Sequence, residues 1–473
     1  MAITSPIART RRSTELSLIV MAACITAGAY TLASLGEFAV IPPRLIPFLG
    51  VLLGLLLVAH LAVRWFAQGA DATMLPLAAI LHGLGYVMIT RLDEDLAGLQ
   101  TTWSILAVGA FVLTLVVVQR APDLARYRWI FLFAGIGLLM LPFVPGLGST
   151  FGGARIWVSL GPINFQPGEF AKLALAVFFA GYLAEHRELI ATPGWRVGPL
   201  RLPEPQFLLP IAAAWGLAVL VMVGQRDLGS SLLFFALFVI VMWVATEQAG
   251  WLLLGLVLFA GAAYVSWRLF GHVQTRVDIW LDPWGDPLDS GYQIIQALYG
   301  LSDGGLSGTG LGLGSPNQVP AARSDFIFTS IGEELGLFGA AAILMAFVLM
   351  FGAGLRTALR TDNSFEKLLA VGLTTIIGVQ AFIIVGGVIR VVPLTGITLP
   401  FVSYGGSSLL SNYVLLALLI RLSDAGARRL HETPDTPTPA ERWAAYRLRR
   451  RTRHGAGVVG APGVGAPRVG DTS

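Results

Sequence analysis

Gly229-Ser-Ser-Leu-Leu-Phe-Phe-Ala-Leu-Phe-Val-Ile-Val-Met-Trp-Val-Ala245 runs seventeen residues without a charge. A helix rises about 1.5 Å per residue and a bilayer core is ~30 Å thick, so a run of this length and apolarity reads as a membrane span. Working outward, similar runs lie near 16–35, 45–63, 73–90, 102–119, 128–145, 169–184, 207–223, 251–269, 326–353, 368–388 and 399–420. The pattern predicts an all-α polytopic membrane protein of about twelve spans.

Composition agrees. Of 473 residues 55% are apolar and 13% charged, with a mean hydropathy of +0.72. Soluble domains carry roughly 25% charged residues. A soluble enzyme, a nucleic-acid binder and a disordered scaffold are all poor readings of such a chain. Cys24 is alone, so no internal disulfide and no cysteine metal site can form. Arg9, Arg11 and Arg12 precede the first run as in a signal peptide, but that run is long enough to span and reads as an uncleaved anchor.

With twelve spans both termini share one side. If that side is cytoplasmic, sixteen basic residues before the tail fall inside and eight outside. The positive-inside rule then predicts both termini in the cytoplasm. Residues 270–325 form a long outer loop whose amphipathic stretch Tyr292–Leu301 is expected on the membrane surface. Residues 431–473 form a flexible cytoplasmic tail with Arg447, Arg449, Arg450, Arg451 and Arg453. That basic piece reads either as attraction to anionic headgroups or as a solvated charge run.

The chemistry gathers at the predicted outer ends of the spans. His60 and His82 sit alone and read as packed histidines. Arg155 lies in a loop, where a guanidinium can fork onto a phosphate. Pro167 suits a first helical turn, and Glu169 and Lys172, three residues apart, can pair on one face. Charges within a span are functional candidates. Gln225-Arg-Asp227 joins two spans almost without a loop, and Asp227 suits an N-cap. Arg323-Ser-Asp325 closes the long loop at a helix start, where a carboxylate can either cap or serve as a general base. Glu333 and Glu334 follow, costly inside a span unless paired. Tyr404, Ser407 and Ser408 open the last span with hydrogen-bond donors.

Taken together, Gly152-Gly-Ala-Arg155, Phe165-Gln-Pro-Gly-Glu169-Phe-Ala-Lys172, Gln225-Arg-Asp227-Leu-Gly, Asp286-Pro-Leu-Asp-Ser-Gly-Tyr292-Gln, Ser324-Asp325-Phe-Ile-Phe, Gly332-Glu-Glu-Leu-Gly and Leu399-Pro-Phe-Val-Ser-Tyr-Gly-Gly-Ser-Ser408 resemble the SEDS family of membrane peptidoglycan glycosyltransferases, over about residues 70–430. The chain looks most like the elongation (RodA) branch of actinobacterial type, and less like the division (FtsW) branch. The resemblance implies polymerisation of lipid II at the outer face of the cytoplasmic membrane, alongside a class B penicillin-binding protein. It places the family's essential aspartate on Asp325 as base for the acceptor 4-hydroxyl. Arg155 and Asp227 match further important positions, and Glu169, Lys172, Gln225 and Ser407 join them as substrate-binding candidates. Three departures stand out: Arg226 where the family usually has Pro, Arg155-Ile156 where the first block often has two basic residues or Gln-Arg before Trp, and two spans (residues 16–69) ahead of a ten-span core.

A pyrophosphate-lipid donor needs cations at headgroup depth. Arg155, Arg226, Arg323 and Lys172 could supply them. A divalent cation, Mg or Mn, held by Asp278, Asp282, Asp286 and Asp289 is a second source; no tightly bound cofactor is expected. The rival readings are a lipid II flippase and a non-catalytic membrane scaffold for wall enzymes. Polar groups clustered at the outer ends, rather than along a path through the bilayer, favour the enzyme.

Overall fold

A computed structural model describes residues 6–42, 45–151, 153–161, 163–191, 195–197, 200–202 and 204–431. The basic tail read at 431–473 therefore lies almost entirely outside the described residues. The helices are α1 (Pro6–Phe38), α2 (Leu45–Phe66), α3 (Met74–Leu92), α4 (Leu96–Val117), α5 (Asp123–Arg126), α6 (Arg128–Met140), α7 (Gly168–Ala191), α8 (Pro205–Gly224), α9 (Leu228–Thr246), α10 (Gly250–Leu269), α11 (Gly271–Leu281), α12 (Tyr292–Gly304), α13 (Ile327–Leu359), α14 (Ser364–Val388) and α15 (Gly406–His431).

Among the described residues, ten helices are long and apolar enough to cross a membrane: α1–α4, α8–α10 and α13–α15. The chain is an all-α polytopic membrane protein. Two of the expected runs fall short of that standard. The run at 128–145 is the 13-residue α6, which tightens into a 3-10 turn at Leu141–Phe143 where Pro142 withholds its N–H. The run at 169–184 is α7, 24 residues long but interrupted by Glu169, Lys172, Glu185, Arg187 and Glu188. Small strands also occur where only loops were expected. β1 (Gly148–Phe151), β2 (Ala154–Leu160) and β3 (Ile163–Phe165) form an antiparallel meander, and β4 (Trp195–Val197) and β5 (Leu200–Leu202) a hairpin.

Helix α14 is the axis of the core. It is buried along nearly its whole length and packed by α7, α9 and α13. Small residues let these backbones approach: a Cβ at Gly354 of α13 would come within 2.1 Å of Thr374 Oγ1 on α14. At the periphery, α10 turns Leu253, Leu256, Val257, Phe259 and Tyr264 outward. That apolar surface needs lipid as its solvent.

The loop 270–325 is built rather than slack. It contains α11 and α12, and the apolar face of α12, which the sequence pattern assigned to the membrane surface, packs against α13. That face (Ile294, Ile295, Ala297) is buried, and Gly304 lies so close to α13 that a Cβ there would meet Gly332 O at 2.1 Å. A protein groove was available for that face, which sequence periodicity cannot distinguish from a lipid surface. Helix α13 is broken at Gly336 (φ 66°, ψ −168°), so Ile327–Leu335 is a separate half-helix carrying Asp325 just before its start.

Candidate functional site

The named residues meet at one end of the bundle. Asp227 caps α9, accepting a 2.9 Å bond from Ser230 N–H, as the sequence predicts. The turn before it places Arg226 at φ 61°, a left-handed conformation that proline's ring forbids. The Arg226 departure thus changes how α8 turns into α9. Gln225 is buried and its amide donates to Leu139 O, while its own backbone carbonyl accepts from Arg155 N–H at 3.0 Å.

Arg155 sits on β2, half-buried. Its Nε donates to Pro142 O at 2.8 Å and its guanidinium lies 6.0 Å from the Phe143 ring centroid. The two terminal nitrogens make no hydrogen bond with the described residues, so the fork remains available to an anion.

Glu169 and Lys172 do pair, at 2.5 Å, and the pair is the centre of a buried network. Lys172 Nζ also donates to Gln380 Oε1 at 3.0 Å; Ser411 Oγ donates to Glu169 at 2.8 Å. Gln380 passes the network to Thr398 O, and Thr398 donates to Ser408 Oγ. Ser407 Oγ accepts from Gln166 N–H at 3.0 Å, tying the start of α15 to the residues that open α7. Lys172 is only 2% exposed. A cation so closed in and so fully satisfied orients its surroundings.

Asp325 does not cap α13. The N-cap is Phe326, without a side-chain bond, so the Asp325 carboxylate is not spent on capping. Backbone contacts hold it: Tyr404 N–H donates to Arg323 O at 2.9 Å and Ser403 Oγ to Ser324 O at 2.6 Å. Burial pushes the Asp325 carboxyl up to about 6, against the opposing pull of a Ser324 hydrogen bond and the Arg276 charge. Burial likewise raises the Asp227 carboxyl, the nearby Glu169 adding to it and Arg276 opposing it.

Arg276, on α11, was counted in the sequence only as an outer basic residue. Burial lowers its guanidinium from the ordinary arginine value, while the charges of Asp325 and then Asp227 pull the other way, so the fold sets it in the field of both carboxylates. Its Nη1 donates to Leu394 O at 2.9 Å. Both side chains flank Gly396, where a Cβ would lie 3.6 Å from Arg276 Nη2 and 3.7 Å from Asp325 Oδ2. Gly396 at φ 75° both takes a backbone closed to most residues and leaves that space open. Burial, and then the charges of Arg226 and Arg276, push the nearby His272 imidazole down from its ordinary value. A signal existed in the sequence: an arginine on an amphipathic segment inside an aspartate-rich loop. Gln380 had one too, as an amide inside an apolar run.

The cations expected for a pyrophosphate sort themselves. Arg226 is exposed and Arg155 half-open, whereas Arg323 is engaged by Asp93 and Lys172 by Glu169. Among the described residues no group of three or more His, Cys, Asp or Glu could hold an ion, and Asp286 instead binds Ser290 N–H and Oγ. A cavity of about 260 Å³ lies among α1–α4 and α15. Its walls are mostly apolar. His82 in its lining bonds Tyr413 (2.7 Å) and Ser104 (3.0 Å), a packed histidine as expected.

The family model described as "Cell cycle protein" (FtsW, RodA, SpoVE) matches residues 70–427. The chain is 43% identical over 449 residues to the peptidoglycan glycosyltransferase RodA of Mycobacterium tuberculosis (strain ATCC 25618 / H37Rv), covering 93% of this chain and 96% of that one. Among solved structures it is similar to a chain of a peptidoglycan synthase complex that coordinates polymerization and crosslinking (28% identity, TM-score 0.62, 76% of this chain and 98% of that one). It is also similar to the rod shape determining protein RodA of Thermus thermophilus (25% identity, TM-score 0.53, 76% and 98%). The chain belongs to the FtsW, RodA and SpoVE family, the SEDS peptidoglycan glycosyltransferases, on its RodA-type branch.

Proposed function

We propose that this chain polymerises lipid II into glycan strands for cell elongation, with Asp325 as the general base. The observation that carries the assignment is a half-buried, non-capping carboxylate raised to about 6, facing Arg276 at the end of the bundle where the other candidates gather. A base works best when its pKa lies near the operating pH. The acceptor 4-hydroxyl attacks the anomeric carbon of the donor sugar. Its proton passes to the Asp325 carboxylate and a C1–O4 bond forms. The C1–O bond to pyrophosphate breaks, its electron pair leaving with the polyprenyl pyrophosphate. Arg155, Arg226 and Arg276 offset the charge on the leaving group. Asp227 and Gln225 set the turn that presents Arg226 and Arg155, while Glu169, Lys172 and Ser407 hold α7 and α15 beneath it. The step is written with protein groups; a Mg or Mn ion accompanying the pyrophosphate would add to the same charge.

The topology that serves this chemistry has twelve crossings, both termini cytoplasmic and residues 270–325 outside. The sixteen-to-eight basic distribution supports it. So does α7, whose 24 residues span about 36 Å, enough for a bilayer once Glu169 and Lys172 neutralise each other. Residues 16–69 then form two spans ahead of a 70–430 core. The description of the similar synthase complex supports a crosslinking partner; its assignment as a class B penicillin-binding protein rests on the family resemblance.

The test is polymerisation of purified lipid II. Asp325→Asn should lose ~10²–10⁴-fold in rate. A rate within threefold of the unaltered protein, at equal folded amount, removes Asp325 as the base.

A further inference from the structure

Helix α1 precedes the residues matched by the family model, yet its outer end grips the loop against which the Asp325 half-helix is built. Two backbones interlock there. A Cβ at Gly36 would lie 2.2 Å from Leu311 O, and a Cβ at Gly312 (φ 80°) would lie 2.2 Å from Ala33 O. Arg91 at the end of α3 closes the joint. Its Nη1 donates to Glu37 Oε1 at 3.0 Å, its Nη2 to Gly314 O at 3.2 Å, and its Nε lies 3.3 Å from Glu334 Oε1.

The gripped loop in turn repairs the break in α13. Opening the helix at Gly336 frees backbone groups on both sides of it. Thr309 and Gly310 donate to the carbonyls of Glu333 and Glu334, while Leu337 and Phe338 donate to those of Gly305 and Leu306. Gly312 N–H binds the Glu334 carboxylate at 3.0 Å and Ser315 N–H that of Glu333 at 2.5 Å. The loop amides and the Arg91 charge thereby bind the two adjacent acids. At its other end the half-helix is tethered by Asp93, also at the end of α3, through Arg323.

We infer that α1 is a positioning element for the reaction: through Gly36 and Glu37 it clamps residues 305–315, and through them sets the half-helix that carries Asp325. This rests on the reading of Asp325 as the base. A misplacement of about 1 Å, caused far from the chemistry, can cost up to ~10²-fold in rate.

The test compares Gly36→Ala with Gly28→Ala in the purified full chain. Gly28 lies on the same helix with nothing within 4 Å of its Cβ position. Three quantities are read: hydrogen exchange of the 305–315 amides, kcat and KM for lipid II, and the unfolding temperature. Gly36→Ala should lose amide protection and fall roughly 10-fold to 100-fold in kcat with KM little changed, because the catalytic group moves while donor contacts stay. Gly28→Ala should match the unaltered protein throughout. If Gly36→Ala does not fold, Glu37→Gln removes the ion pair without disturbing the backbone and should move protection and kcat the same way. Unchanged protection and kcat overturn the inference, as does lost protection with unchanged kcat. Asp325→Asn, assayed alongside, separates the two readings. Full activity there overturns the base and the positioning role with it. Inactivity there, with Gly36→Ala fully active, overturns the positioning role alone.

Discussion

Asp325→Asn should stabilise the protein while removing its activity. The sign follows from burial. The folded-state carboxyl is raised from 3.8 to about 6, so the fold binds its proton more tightly than the unfolded chain does. At neutral pH, where both states are ionised, the native state bears the cost of a desolvated carboxylate; below about 3.8 that cost is gone. The net displacement, in which the Arg276 attraction is already included, corresponds to about 3 kcal/mol, which partial exposure of the side chain reduces to about 1–3 kcal/mol. Asparagine keeps the shape and carries no charge. The assay is thermal unfolding of both proteins in the same detergent at pH 8 and at pH 4.5. The variant should unfold at a higher temperature at pH 8, and the difference should shrink at the lower pH. An equal or lower unfolding temperature at pH 8, or a gain that does not depend on pH, would refute the argument that burial sets this carboxyl.

Arg276→Gln removes a cation that holds the Asp325 carboxyl down, so the acid limb of kcat/KM should move from about 6 to higher pH; a limb that stays in place would separate the two residues. Arg155→Ala should weaken lipid II binding by about 1.5–3 kcal/mol, or roughly tenfold to a hundredfold, as read from titration of the substrate. Lys172→Met leaves Glu169 buried without its cation and should cost about 3–5 kcal/mol in unfolding measurements, most of it recovered by adding Glu169→Gln. With Cys24 replaced, a cysteine at the exposed Ser302 should react with a membrane-impermeant thiol reagent on intact cells and one at the exposed Asp362 should not; the reverse pattern inverts the topology.

The helices were legible because lipid imposes a local requirement. A span must be apolar and about 20 residues long to satisfy its backbone within hydrocarbon, and that shows in any window of the chain. The Glu169–Lys172 pair and the Asp227 cap were equally local, set by spacings of three residues within one element. What tertiary structure alone decided is long-range. Arg276 reaches Asp325 and Asp227 because α11 folds back over the Leu394–Gly396 turn, bringing together parts of the chain more than a hundred residues apart in the case of Arg276 and Leu394. The break at Gly336 depends on a loop some thirty residues earlier supplying its missing partners, so no helical pattern marks it. The same holds for α12, whose apolar face chose α13 over the membrane, and for α1, whose glycine contact with Leu311 is a matter of shape. Periodicity records which face of an element is apolar; only packing determines what covers it.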